Sequence, residues 1–288
     1  MICKNIKIFS QNIHKNNLLT NTILEAQRDF DIIFIQELLW ALIWSIPSSI
    51  SKEEEHLVEV PNHPNWTTFS INTSNDYDSS RVASCINIRL LQLCFSWRND
   101  IFNHRNILCI SFFNCCSIYF LVNIYSDLSQ IALKYLKDTK ANINNILIMT
   151  GDFNIRDSIW NLNFPHHSIH SNLFTDIADF MNLCMSRSTN QVSTRYSNNW
   201  NNSSLVINLM FLKPDSSELN NHTIHLEWRL SSDHTPLTVD ITIMEEHIQT
   251  RKCTLVKNSK EEENFITELI RVITRLNTEN IPSKEVLE

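Results

Sequence analysis

The chain has 288 residues, 43% of them hydrophobic, and a formal net charge of -7 at pH 7. That is enough for one substantial core, and it leaves no basic footprint of the kind that drives tight nonspecific binding to nucleic acid. Its eight cysteines form no Cys-x-x-Cys pair and have no histidines at partner spacing, which suggests neither a zinc site nor a disulfide framework and points to a reduced, intracellular protein. Met1 leads into a first apolar run at residues 6–11 without the pattern of a signal or transit peptide.

Further apolar runs of strand length follow at 31–36, 66–71 and 82–90, with a Ser-, Pro- and Glu-rich stretch from Ser45 to Pro64 that reads as a surface loop. Ile107 to Tyr125 is apolar over nearly the length of a membrane span. Asn114, Cys115, Cys116 and Ser117 divide it, however, into two β-rich halves, so it reads as two buried strands and a tight turn. A helix follows, with Ser126 and Asp127 at its start and Leu128, Ile131, Ala132, Tyr135 and Leu136 on one face. After a strand at 146–150, a second helix runs from about Ser171 to Leu183 with Leu173, Ile177, Phe180 and Met181 inward. Strands at 205–212 and 236–243 close a domain spanning 1–243. Residues 244–288 read as a charged linker and a helix carrying Phe265, Leu269, Val272, Ile273 and Leu276. Many strands interleaved with helices predict two sheets packed face to face between helices, an α/β sandwich. With a single glycine in the chain, asparagine is expected to supply most turns that need positive φ.

Three polar groups stand at strand ends. Asp152 and Asn154 leave the run Asn145 to Met149 at a sharp turn that holds the sole glycine, Gly151. Glu37 ends the run Asp31 to Ile35, where a carboxylate makes a hard oxygen ligand for Mg²⁺. Asp233 and His234 precede the last strand and offer a carboxylate beside an imidazole able to bind or protonate a phosphate oxygen. Taken singly, each also reads as ordinary structure: an Asx-type turn, a helix-starting glutamate, an exposed turn.

Taken in order, Asn12, Gln36-Glu37, Asn123-Ile124-Tyr125, Gly151-Asp152-Phe153-Asn154 and Ser232-Asp233-His234 resemble the endonuclease/exonuclease/phosphatase superfamily, which includes deoxyribonuclease I and the apurinic/apyrimidinic endonucleases. The resemblance implies a four-layered, deoxyribonuclease I-like α/β sandwich. Asn123 to Leu136, Thr150 to Trp160, Pro165 to Ser171, Thr194 to Ser197 and Trp228 to Ile241 further resemble the endonuclease domain of fungal LINE-type retroelements, over residues 6 to 280. That likeness implies a monomer acting in the nucleus on DNA, away from membranes, with a reverse transcriptase domain in the parent element. In the family, Mg²⁺ or Mn²⁺ is held mainly by the glutamate matching Glu37, with Asn12 and Asp233 in support. Asp152 would orient or deprotonate the attacking water, Asn154 and Tyr125 would contact the phosphate, and His234 would bind a nonbridging oxygen.

Two departures qualify this likeness. The family's Ser-x-x-Asp, whose aspartate holds the catalytic histidine, is matched by Leu205 and Asn208. Asn208 carries no charge to stabilise an imidazolium, and its NH₂ could favour the wrong tautomer, a loss of roughly 10² or more in rate. The proline that usually follows the glutamate is replaced by Leu38 and Leu39. The chain is therefore expected to be a DNA-nicking endonuclease or a catalytically weak relic of one. A phosphoinositide or sphingolipid substrate is disfavoured, because no basic cluster surrounds the motifs.

Overall fold

Each of the apolar runs becomes a strand, and pairing partners far away in sequence add several more. The computed structural model describes residues 2–38, 44–47, 56–59, 63–70, 80–114, 117–139, 143, 145–161, 167–190, 192–196, 204–214, 221–245, and in the tail 260, 264, 266, 267, 270 and 271. The strands begin with β1 (Ile2–Asn12), β2 (Ile32–Gln36), β3 (Trp44–Pro47), β4 (His56–Glu59), β5 (Trp66–Ser70), β6 (Val82–Asn87), β7 (Ser96–Trp97) and β8 (Ile107–Asn114). They continue with β9 (Ser117–Tyr125), β10 (Ile146–Asp152), β11 (Cys184–Met185), β12 (Arg187–Ser188), β13 (Asn208–Leu212), β14 (Asn221–Ile224) and β15 (Leu237–Glu245). The helices are α1 (Asn17–Ala26), α2 (Ile131–Thr139) and α3 (Ile169–Phe180).

Seven strands form one sheet in the order β12-β14-β15-β1-β2-β6-β5, and six form the other in the order β11-β13-β10-β9-β8-β7. Each sheet is mixed, with a parallel pair near its middle, β1 with β2 and β10 with β9, and the first sheet has a second parallel pair at its edge, β12 with β14. Alternation of side chains across each strand sorts the core into layers. Ile6, Ile8, Ile32 and Phe34 of the first sheet meet Ile110, Phe112, Leu121, Met210 and Leu212 of the second between the sheets. The opposite face of the first sheet buries Phe9, Ile33 and Ile35 against Leu19, Ile23 and Leu24 of α1. On the far side, Val122, Ile124 and Met149 pack on Ala132, Leu133 and Leu136 of α2 and on Phe174 and Ile177 of α3. The result is a four-layered α/β sandwich. Phe153, Phe174 and Phe211 touch one another in this outer core, and full burial of each ring contributes about 1.5–3 kcal/mol.

Several expectations need correction. The stretch expected as a loop from Ser45 to Pro64 contains most of the β3–β4 pair, two strands joined in antiparallel register. Leu128 and Phe180, expected to face inward, are 82% and 58% exposed. For Leu128 the cause is local: Gln130 adopts φ 57 and closes a turn onto the carbonyl of Asp127, so α2 starts only at Ile131 and Leu128 lies outside it. Asparagine does not carry most positive-φ positions; of the nine described non-glycine cases, only Asn145, Asn154 and Asn182 are asparagines. The segment Ile107 to Tyr125 forms the antiparallel β8–β9 pair, and among the described residues no helix is long and apolar enough to cross a membrane.

The chain divides into two units, Met1–Glu246 and His247–Glu288. In the second, the described positions are helical, while Phe265, Leu269, Val272, Ile273 and Leu276 lie outside the described residues, as do Leu39 and Pro165.

Candidate active site

The two central parallel pairs, β1 with β2 and β9 with β10, end at the same edge of the sandwich, and this places the polar residues. In the first sheet Asn12 pairs with Gln36 at the ends of β1 and β2. The chain then turns sharply twice. His14, Lys15 and Glu37 all sit at positive φ (48, 59 and 53°), and the turns are tied together by Lys15 N–H donating to the Glu37 carbonyl at 2.8 Å. Each such residue costs about 1 kcal/mol or more, strain that gathers where function constrains the backbone. In the second sheet Tyr125, Asp152 and Asn208 lie side by side at the ends of β9, β10 and the start of β13.

Gly151 is what allows the second sheet to close here. Its φ is +150°, and a Cβ at this position would lie 1.8 Å from the Ile124 carbonyl oxygen on the neighbouring strand. Below the site, Gln36 donates from Nε2 to Asn123 Oδ1 at 2.7 Å, and Asn123 donates from Nδ2 to the carbonyls of Ile35 and Ala83. These buried bonds fix the separation of the sheets just beneath the reacting groups.

Across that gap the side chains converge. The Tyr125 hydroxyl donates to Glu37 Oε1 at 2.5 Å, and Asn12 Nδ2 donates to Asp152 Oδ2 at 2.7 Å. Asp152 Oδ1 accepts from the Asn154 backbone N–H at 3.0 Å, while Asn154 Nδ2 donates to the Ser126 carbonyl at 2.8 Å. Nδ1 of His234 lies 3.0 Å from Asn208 Oδ1 and 3.9 Å from Asp152 Oδ2. Its backbone is pinned by Ser232 Oγ, which also donates to the Asn12 carbonyl. Asp233 accepts from Arg195 Nε at 3.3 Å.

Glu37, Tyr125, Asp152, Asn154 and His234 line one cleft of about 450 Å³. Asn12 is fully buried behind them. Its oxygen accepts from the His14 N–H at 2.8 Å, so it reaches the cleft through Asp152. Asn208 is also buried. It turns its oxygen toward Nδ1 of His234, which places the proton on Nδ1 and leaves Nε2 as the acceptor. The substitution therefore preserves the orientation of the ring and removes only the charge behind it.

Burial pushes the Asp152 carboxyl above its usual range, against the opposing effects of His234, Asn12 and the Asn154 N–H. A carboxylate with raised proton affinity at the floor of a cleft suits a general base. Burial and the Glu37 carboxylate both raise the Tyr125 hydroxyl, which stays a protonated donor.

Oxygen donors suited to a hard divalent cation are present. One oxygen of Asp233, Oδ1, is buried and accepts no hydrogen bond; it lies 3.6 Å from His234 Nε2 and 3.9 Å from His14 Nδ1. Glu37 Oε2 stands 3.3 Å from His14 Nδ1. Among the described residues no three His, Cys, Asp or Glu side chains are assembled as a metal-binding group. A cation that retains several waters needs only one or two protein carboxylates, so this donor set fits Mg²⁺.

Six lining residues, His14, Arg81, Asp127, Leu128, Ser129 and Arg195, were not identified as site residues from the sequence. Arg195 lies within the Thr194 to Ser197 stretch but carried no assigned role, His14 was overlooked two positions after Asn12, and nothing local marks Arg81.

No family model matches the chain, and no curated protein matches its sequence. Solved structures do match its fold. The endonuclease domain of TRAS1, a telomere-specific non-LTR retrotransposon, superposes with a TM-score of 0.62 at 16% identity, covering 83% of this chain and 98% of that one. An endonuclease/exonuclease/phosphatase family protein from Leptotrichia buccalis gives 0.50 at 15% identity, over 82% and 99%. The endonuclease/exonuclease/phosphatase from Bacteroides vulgatus gives 0.50 at 13%, over 84% and 100%. The chain has the endonuclease/exonuclease/phosphatase fold.

Proposed function

We infer that this chain hydrolyses a phosphodiester of DNA with the help of a divalent cation, as the nicking endonuclease of a LINE-type retroelement in the lineage of the fungal elements. The observation that carries the reading is Asp152: a buried carboxylate of raised proton affinity, aimed by Asn12 and the Asn154 N–H, with His234 3.9 Å away and the Tyr125–Glu37 pair lining the same cleft. The likeness of fold to a retrotransposon endonuclease domain supports it.

In this reading Asp152 orients the attacking water and takes its proton, and its burial sets its basicity for that step. Tyr125 donates to a nonbridging phosphate oxygen, where negative charge grows in the transition state, and His234, with a second proton on Nε2, donates to another. Asn12 and Asn208 act through their partners, Asp152 and His234. Glu37 and Asp233 would hold Mg²⁺ or Mn²⁺, which when bound supplies positive charge to offset that of the pentavalent phosphate. The product end of interest is a 3′ hydroxyl, the primer that a reverse transcriptase needs.

Supercoiled plasmid incubated with the protein and Mg²⁺ or Mn²⁺ provides the test. Relaxed circles carrying 3′ hydroxyls, and their loss in Glu37→Gln, support the reading; intact plasmid with folded wild type and folded Asn208→Asp refutes it.

One observation favours a second, weaker reading. A neutral amide stands behind His234, and a relic that binds DNA without cutting it would show wild-type binding and no dependence of any residual nicking on Glu37.

A further inference from the structure

The sequence offers no basic cluster near its motifs, yet the fold brings two guanidinium groups to the cleft, Arg81 from a segment that carries no motif and Arg195 from the Thr194 to Ser197 stretch. Arg81, just before β6, lies over the ring of Tyr125, 5.2 Å from its centroid. Arg195 holds Asp233 through Nε at 3.3 Å and is 36% exposed. These two cations terminate one continuous chain of contacts among residues at the cleft. From Arg81 it passes to the Tyr125 ring, from the Tyr125 hydroxyl to Glu37, from Glu37 to His14 at 3.3 Å, from His14 to Asp233 at 3.9 Å, and so to Arg195. The acidic centre occupies the middle and a cation stands at each end.

That layout discriminates between substrates. A small phosphomonoester or an inositol phosphate headgroup is best held by cations that converge on one point, whereas here each guanidinium is tethered to a different partner, Arg81 to Tyr125 and Arg195 to Asp233. A polymer strand carries phosphates on both sides of the one being cut. A guanidinium seated over an aromatic ring interacts through its face, and its N–H donors lie in the plane, where a phosphate can accept from them.

We propose that Arg81 and Arg195 bind the two backbone phosphates flanking the scissile one, so that the site takes an extended nucleic-acid strand and not an isolated phosphate ester. The proposal rests on the nuclease reading above, and it explains how a chain of net charge -7 can engage a polyanion: the positive charge is local, on either side of the metal-binding acids. These arginines fix the register of the strand and carry no base information.

The test is the salt dependence of binding to a fluorescein-labelled DNA duplex in EDTA, where no strand is cut, together with two turnover assays in Mg²⁺. Each phosphate contact contributes about 0.9 to the slope of log affinity against log salt. Arg81→Ala and Arg195→Ala should each make that slope shallower by about 0.9, and Arg81→Lys, which keeps the charge, should retain it. Arg81→Ala should also slow plasmid nicking by about tenfold or more, and by a factor at least about threefold larger than any slowing of bis(p-nitrophenyl) phosphate cleavage, a substrate with no flanking phosphates. A merely structural role for either arginine would weaken binding equally at every salt concentration and leave the slope intact.

If wild type nicks plasmid but both alanine variants keep the wild-type slope, the proposal is overturned and the nuclease reading stands. If wild type cleaves neither substrate and binds no duplex, the nuclease reading fails and takes the proposal with it. Should Arg81→Ala fail to fold, Arg81→Gln substitutes for it with the same expected slope.

Discussion

Replacing Asn208 by aspartate should convert a weak site into a stronger one, and the structure sets the size of the gain. Asn208 Oδ1 lies 3.0 Å from Nδ1 of His234. A carboxylate at that distance would attract an imidazolium by about 5.5 kcal/mol at an effective dielectric constant of about 20. Two effects subtract from this. The position is 2% exposed, so the new charge loses solvation, and Asn208 is the cross-strand partner of Asp152, another buried carboxylate. A net stabilisation of about 2–3 kcal/mol remains, equivalent to about 10²-fold in turnover at 1.36 kcal/mol per decade. The same opposition of like charges should lower stability by about 1 kcal/mol, a fall in Tm of about 2–4 °C for a domain of this size. Plasmid nicking followed against pH gives the rate. A folded Asn208→Asp protein no faster than wild type at any pH would refute the reasoning about what stands behind His234.

Other perturbations test other parts of the arrangement. Gly151→Ala should cost more than about 3 kcal/mol in the urea midpoint, because the new Cβ, 1.8 Å from the Ile124 carbonyl oxygen, forces β9 and β10 apart; a loss under about 1 kcal/mol would contradict the close approach. Tyr125→Phe removes the donor to Glu37 and should slow nicking by about tenfold or more with little change in Tm; unchanged turnover would remove Tyr125 from the site. Asp157 lies at the start of the segment leading to α3. Burial raises its carboxyl, but the Ser171 hydroxyl, the backbone N–H groups of Ser168 and Ile159, and His167 outweigh that and hold it at about 2. Because its folded value lies below its unfolded one, its contribution to stability is present above about pH 4 and is lost as pH falls from there toward 2. Urea midpoints across that window should fall more steeply for wild type than for Asp157→Asn, and parallel curves would be evidence against this role.

The layers were legible because continuous apolar runs specify strands: eight of the nine runs became interior strands of the two sheets, and the ninth became the edge strand β5. What escaped was short or depended on distant partners. Strands β7, β11 and β12 have two residues each, and their pairing is imposed by neighbours, not by their own pattern. Helix α1 carried a readable stripe in Leu19, Ile23 and Leu24, with Asn16 capping it through the Leu19 N–H, but the stripe was overlooked. In the cleft, the ordered motifs located the acids and His234 because each ends a strand. They could not locate Arg81, which precedes β6 of the first sheet yet lies over a tyrosine of the second. Nor could they show that Asn208 presents its oxygen to His234, since amide orientation follows from the packed surroundings and leaves no trace in residue identity.

Asp152 is the proposed base of a phosphodiester hydrolysis. The most direct measurement compares conversion of supercoiled plasmid to relaxed circles by wild type and by Asp152→Asn, in Mg²⁺, with folding verified for both. Substitution of this buried carboxylate should lower the rate by about 10²-fold or more, as removal of a positioned general base does. Equal rates for the two proteins would contradict the central claim.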